Sequence, residues 1–309
     1  MTKKRRGYAV DINTDRRMKI QTFSILAGTE VCNARCPFCI SKMTPLNGIN
    51  PKVPPFKAHR FLQACSFAKS TGVSTVMITG KGEPTLYPDQ ITEYFSYLKD
   101  FNFGMTELQT NGAQIQAHKE QFEPLLRQWQ EAGLTTVAIS IVSADPEENR
   151  KIYFPKRNSY YDLPDLIKFL HSLDITVRLT VTVTKASMRS LEEFKNLVEF
   201  ATLHKVEQLT FRPVNAPTQT YVDDEVFKWT TDNFCNPEFF QEITDYVSQN
   251  GTMLLKLMHG ATVYDLNGQN ICLTNCLTRS DDQEQIRQII YFPDGKLRYD
   301  WEHAGAILF

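Results

Sequence analysis

Residues 21–43 read QTFSILAGTEVCNARCPFCISKM: a β-forming run, a glycine, then Cys32, Cys36 and Cys39 within eight residues. The opening QTFSILAG (21–28) mixes β-branched and aromatic residues and stops at Gly28, as a short buried strand does. It delivers the cysteine cluster into the loop that follows it. Outward from there the same unit recurs. FKAHRFLQACSFAKSTG (56–72) has helical spacing, and VSTVMITG (73–80) is a second β-branched run. A helix over 88–101, a strand over 103–112, a helix over 116–133 and a strand over 134–142 follow. A helix near 162–173, a strand over 175–184, a helix over 190–205 capped by Ser190, and a strand over 207–214 complete six units.

Strands separated by helices of this length need right-handed crossovers, which make parallel βαβ units. The expectation is an α/β fold, a partial (β/α)6 TIM-like barrel, with a doubly wound open sheet as the rival. The division expected is an N-terminal segment 1–20, a barrel 21–220 and a C-terminal extension 221–309 ending in a hairpin that turns at Pro293-Asp294-Gly295-Lys296. In either architecture functional groups gather at the C-terminal ends of the strands. The cysteine loop, TGKGEP (79–84) and QTNG (109–112) all fall there.

The bulk numbers exclude several classes. A net charge of -1 argues against a general nucleic-acid binder. No apolar run reaches the ~20 residues needed to span a bilayer, and the basic start MTKKRRG leads into no apolar stretch. The expected location is cytoplasmic. Seven cysteines in 309 residues are too sparse for a disulfide framework, so the tight group reads as a metal site. A structural zinc site wants four ligands, and the loop offers three. Zinc completed by a remote residue, or an iron–sulfur cluster with one open iron, both remain.

The spacing Cys32-x3-Cys36-x2-Cys39, with Phe38 before the last cysteine, resembles the signature of the radical S-adenosylmethionine (SAM) superfamily. The resemblance implies a [4Fe–4S] cluster on these three thiolates, with SAM on the fourth iron. It also implies a reductant such as flavodoxin or ferredoxin, and a 5′-deoxyadenosyl radical that takes hydrogen from a substrate. TGKGEPTL resembles the family's Gly-Gly-Glu-Pro motif, with Lys81 in place of the second glycine; the resemblance makes Gly80, Lys81, Gly82 and Glu83 SAM-binding, the Gly80 and Lys81 carbonyls and the Glu83 carboxylate accepting from its ammonium. Thr110 and Asn111 are expected to floor the SAM site, and Ser140 to hold its carboxylate or ribose. Arg178 and Thr180 share a strand face near the same groups, with a structural ion pair the alternative for Arg178. On the sixth strand Arg212 is expected to meet a carboxylate or phosphate, with Phe211 and Val214 beside adenine.

The style of the motifs is similar to the molybdenum-cofactor GTP cyclase branch, although Ser140-Ile141-Val142 departs from the Ser-Leu-Asp common there. The implied function is hydrogen abstraction from a small-molecule or nucleotide-type substrate. A radical SAM peptide- or protein-modifying enzyme is the alternative, and a non-enzymatic zinc or electron-transfer module a weaker one. Cys235, Cys272 and Cys276 invite comparison with the second cluster of some relatives, against a hydrogen-donating thiol or plain buried thiols.

Overall fold

The computed structural model describes residues 20–217, 224–257, 260–274 and 286–309. Six parallel strands, β1 (Thr22–Leu26), β2 (Thr75–Thr79), β3 (Met105–Thr110), β4 (Thr136–Ile141), β5 (Thr176–Val183) and β6 (Gln208–Pro213), lie side by side in chain order. Between them run α1 (Ile40–Met43) and α2 (Ala58–Ser70), α3 (Pro88–Leu98), α4 (Ala113–Ala117) and α5 (Lys119–Glu131), α6 (Pro146–Tyr153) and α7 (Leu163–His171), and α8 (Leu191–Leu203). This is the expected partial barrel: the sheet curls without closing, and its order is β11-β10-β1-β2-β3-β4-β5-β6-β9-β8-β7.

The two faces of the sheet follow from side-chain alternation. On the outer face Phe23, Ile25, Val76, Ile78, Leu108, Val137, Ile139, Leu179, Val181 and Phe211 are fully buried. They pack against Phe61, Phe95, Trp129, Leu170 and Phe194 of the helices in one continuous apolar core. The opposite, inner face carries Ser24, Met77, Glu107, Gln109, Ser140, Arg178, Thr180, Gln208, Thr210 and Arg212, as the strand registers show. Phe211 therefore does not reach a ligand inside the barrel. It alternates with Arg212, faces outward, and packs on Phe194 with ring centroids 4.8 Å apart.

The helix expected over 116–133 is two helices, because His118 adopts φ -133° and ψ 43° and breaks the ladder between α4 and α5. Ser190 caps α8 as expected, its hydroxyl accepting from the Glu193 N–H at 3.2 Å. After α9 (Asp224–Asn233) and α10 (Pro237–Asn250), the chain forms an antiparallel meander, β7 (Thr252–Lys256), β8 (Thr262–Leu266) and β9 (Gln269–Leu273). Its β8–β9 turn is Asn267-Gly268, both with positive φ, a two-residue hairpin connection. β9 then pairs parallel with β6. The terminal hairpin forms as expected: β10 (Gln288–Tyr291) and β11 (Leu297–Arg298) are antiparallel. β10 also adds in parallel to β1, so strands from beyond residue 220 complete the sheet on both sides of the six-stranded core.

Candidate functional site

Cys32, Cys36 and Cys39 occupy the loop that leaves β1, and all three are half-buried. Its first half is fixed from three directions. The Val31 carbonyl accepts from the Glu83 N–H at 3.0 Å, the Arg35 N–H donates to the Tyr153 carbonyl at 2.8 Å, and the Cys39 N–H donates to the Cys36 carbonyl at 3.3 Å, just before α1 starts. The Ala34 N–H points at Cys32 Sγ from 3.4 Å. Phe38 packs edge-on to Tyr153, centroids 6.2 Å apart, and against Trp229 at 6.0 Å, forming an apolar wall with Ala34, Val142 and Phe154.

The loop after β2 interlocks with this one. A Cβ on Gly82 would lie 2.0 Å from the Val31 carbonyl oxygen, so only glycine lets the two loops touch. Glu83 is buried, and its carboxylate accepts from four donors: the Thr85 N–H (3.0 Å), Thr85 Oγ1 (2.6 Å), Thr110 Oγ1 (2.6 Å) and the Asn111 N–H (2.9 Å). Burial pushes its pKa up while these donors pull it down. Three of the four bonds end on Oε1, leaving Oε2 with the Asn111 N–H alone. Asn111 extends the chain of contacts, its Nδ2 donating to Asn33 Oδ1 at 2.6 Å and lying 4.0 Å from Cys32 Sγ. Glu83, Thr110 and Asn111 thus bolt the ends of β2 and β3 onto the cysteine loop. Asn33 and Tyr161, whose hydroxyl donates to the Asn111 carbonyl at 2.8 Å, belong to the same network.

Lys81 behaves differently from its neighbours Gly80 and Gly82. Its side chain is buried, its ammonium donates to Thr44 Oγ1, and Nζ stands 5.7 Å from the Trp301 ring centroid. Burial lowers its pKa to about 8, against the pull of Cys39 and Glu302.

The inner-face residues form two groups. Arg178 is bonded to Glu107, and its Nε donates to Gln208 Oε1 at 2.7 Å, while Gln109 Nε2 donates to Glu107 Oε1 at 2.8 Å. This polar knot sits in the N-terminal half of β5, below the strand ends, so Arg178 has the structural ion pair. One layer up, Ser140, Thr180, Thr210 and Cys272 are in register across β4, β5, β6 and β9. Arg212 lies one further step along β6, beside Thr182, and its buried Nε has no acceptor among the described residues. Cys235 is buried in the outer core, and Cys272 is on the inner face, so the sheet separates these two thiols; Cys276 lies outside the described residues.

The donor set discriminates between metals. Among the described residues no three His, Cys, Asp or Glu side chains converge as ligands of one ion. Burial raises the Cys32 thiol to about 11 and pushes Cys36 higher still, where repulsion from Cys39 and Cys32 adds to it. Three half-buried thiols in one loop, with no histidine or fourth cysteine in it, match the donor set of a four-iron cluster whose thiolates bind separate irons better than that of a tetrahedral zinc.

The sequence matches the radical SAM superfamily over residues 26–201, more than half of the 309-residue chain. This chain belongs to the radical SAM superfamily. It is similar to the molybdenum cofactor biosynthesis protein moc-5 of Caenorhabditis elegans, with 30% identity over 203 residues, 64% of this chain and 30% of that one. It is also similar to the GTP 3′,8-cyclase of Haemophilus ducreyi, with 33% identity over 143 residues, 43% of this chain and 36% of that one. The matched stretch thus spans about a third of these relatives' length. In structure it resembles SuiB of Streptococcus suis bound to S-adenosylmethionine, with TM-score 0.59 and 18% identity over 92% of this chain and 60% of that chain. A radical SAM methyltransferase from Sphaerobacter thermophilus aligns with TM-score 0.50 and 14% identity, covering 90% of this chain and 70% of that one. These structural likenesses concern the fold. The radical SAM assignment makes the chain an enzyme of that class, and no helix among its described residues is long and apolar enough to cross a membrane.

Proposed function

We propose that this radical SAM enzyme holds a [4Fe–4S] cluster on Cys32, Cys36 and Cys39 and cleaves SAM there reductively, so that a 5′-deoxyadenosyl radical takes hydrogen from a polar small molecule. The observation that carries the reading is the continuous link from Glu83 through Asn111 to Asn33 and the Cys32 loop, which ties three strand ends into one platform. The cluster would supply the electron. The protein's own part is to fix the loop, wall it with Phe38 and Tyr153, and offer hydroxyls and backbone carbonyls to the rest of SAM.

Gly80 and Lys81 present carbonyls at the strand end for the SAM ammonium, with Glu83 Oε2 as the remaining carboxylate acceptor. Ser140 and Thr180 stand side by side to receive the ribose or carboxylate. Arg212, with its unmatched Nε, suits an anionic group on SAM or on the substrate. An inner face of hydroxyls, amides and the Arg212 guanidinium favours a polar substrate over an apolar one. Val142 is apolar and fully buried where the GTP cyclase pattern has a carboxylate, so the substrate is not carried over from those relatives. A one-electron reductant of the flavodoxin or ferredoxin kind is the partner this chemistry requires. A second cluster would have to recruit Cys272 or Cys276 without Cys235, which the sheet sets apart.

Anaerobic reconstitution with iron, sulfide and SAM tests the proposal. The expected result is about four irons per chain and 5′-deoxyadenosine after reduction. A loaded cluster that releases no 5′-deoxyadenosine would sink it.

A further inference from the structure

Among the described residues Lys81 is a buried cation that forms no ion pair with a carboxylate. It is only 4% exposed, and its hydrogen bond goes to a neutral hydroxyl, Thr44 Oγ1. Taking an ammonium out of water without a counter-charge is costly, so a fold that keeps one has an anion in reach. The place where it is kept is informative. Thr44 follows α1, and its hydroxyl donates at 2.9 Å to the carbonyl of Ile40, the residue after Cys39. On the other side the ammonium faces Trp301, which packs on Phe292 with centroids 5.9 Å apart. Phe292 belongs to an apolar cluster with Leu26, Ile290 and Ile49. The Asn47 side chain donates to the Glu302 carbonyl at 3.2 Å, fastening the same tail to the segment after α1. Lys81 thus stands where the second motif loop, the exit of the cysteine loop and the C-terminal tail meet. Through Thr44 the ammonium reaches the turn that begins at Ile40, next to Cys39, where a thiolate, like the Glu302 carboxylate, would favour its charged form.

We propose that Lys81 is a positioning residue that serves as a fixed counter-charge to the cluster, held in place by Thr44 and by the Trp301 tail, and that it makes the cluster easier to reduce. The inference rests on the cluster reading given above. A thiolate-bound iron–sulfur core is anionic and gains a further negative charge on reduction, so a nearby immobile ammonium favours the reduced form. The same reasoning gives Trp301 an electrostatic consequence: it shields the ammonium from water and adds a cation–π contact.

The test uses the reconstituted full-length chain and an EPR-monitored redox titration of the cluster. Lys81→Met, similar in length but uncharged, is expected to bind as much iron as wild type with its midpoint potential shifted negative. Lys81→Arg is expected to titrate close to wild type, and Trp301→Leu between wild type and Lys81→Met. If Lys81→Met does not fold, Lys81→Gln serves as the neutral variant. Wild type and the neutral variant titrating at the same potential with equal iron would overturn the inference. Absence of iron from wild type as well as the variants would instead overturn the underlying cluster reading.

Discussion

Replacing Glu83 by glutamine separates a structural role of this carboxylate from any role in ligand binding, because it can be measured on protein that holds neither iron nor SAM. In the native fold Oε1 accepts three hydrogen bonds and Oε2 accepts the Asn111 N–H at 2.9 Å. A glutamine amide can keep the three with its oxygen, but its NH2 then confronts the Asn111 N–H, donor to donor. A buried donor left unmatched costs ~1–3 kcal/mol, and relief from burying a charge offsets the weaker bonds to a neutral oxygen. The expected net loss is about 2 kcal/mol. Glu83→Ala orphans both the Thr85 and Asn111 N–H groups and opens a cavity, for a loss of roughly 4 kcal/mol. At an unfolding entropy of about 2.1 cal/mol/K per residue, these losses lower the melting temperature by about 3 °C and 6 °C respectively. Circular dichroism melts and urea titrations of the apo-proteins read both numbers. If Glu83→Gln stays within ~0.5 kcal/mol of wild type, as a surface change would, the bolt between β2, β3 and the cysteine loop is not load-carrying and the argument fails.

Three further outcomes are expected. Glu107→Leu and Arg178→Met should each cost about 3 kcal/mol by stranding a partner on the inner face, while the double variant should cost less than the sum; simple additivity in urea titrations would show that the pair is not coupled. Cys36→Ala should drop iron from about four per chain to near zero, whereas Cys235→Ala and Cys272→Ala should leave it unchanged; a fall from about eight to about four for Cys272→Ala would establish a second cluster. Gly82→Ala should destabilise the apo-protein by about 2 kcal/mol, since its Cβ would lie 2.0 Å from the Val31 carbonyl oxygen, and a chemical-denaturation midpoint equal to wild type would show that the loop can give way.

The six parallel strands were legible because each is a short β-branched run followed by helical spacing, a local signal. The cysteine loop and the Glu83 and Asn111 turns were legible because they sit at strand ends. What escaped depended on partners far away in the chain. Arg178 and Glu107 are 71 residues apart, and no local pattern announces their pairing. Phe211 was assigned to the wrong face, although strict alternation with Arg212 would have turned it outward. The β8–β9 hairpin carried a readable local signal, Asn267-Gly268 between two alternating runs, that the reading of the extension did not use. The course of the Lys81 side chain, away from the neighbouring glycines and toward Thr44 and Trp301, had no sequence signal at all.

The seam between β1 and β10 bears on how such a molecule is made. Thr22 to Ile25 pair with Gln288 to Tyr291, more than 260 residues further along the chain, so the strand that feeds the cysteine loop is made long before its second neighbour. Until that neighbour emerges β1 has an open edge, and contacts between such distant segments form slowly. Lys81 likewise waits for Trp301. The surroundings of the cysteine loop are therefore finished only once the segment carrying β10 and Trp301 has been made, which leaves the nascent chain dependent on protection of that first strand until then.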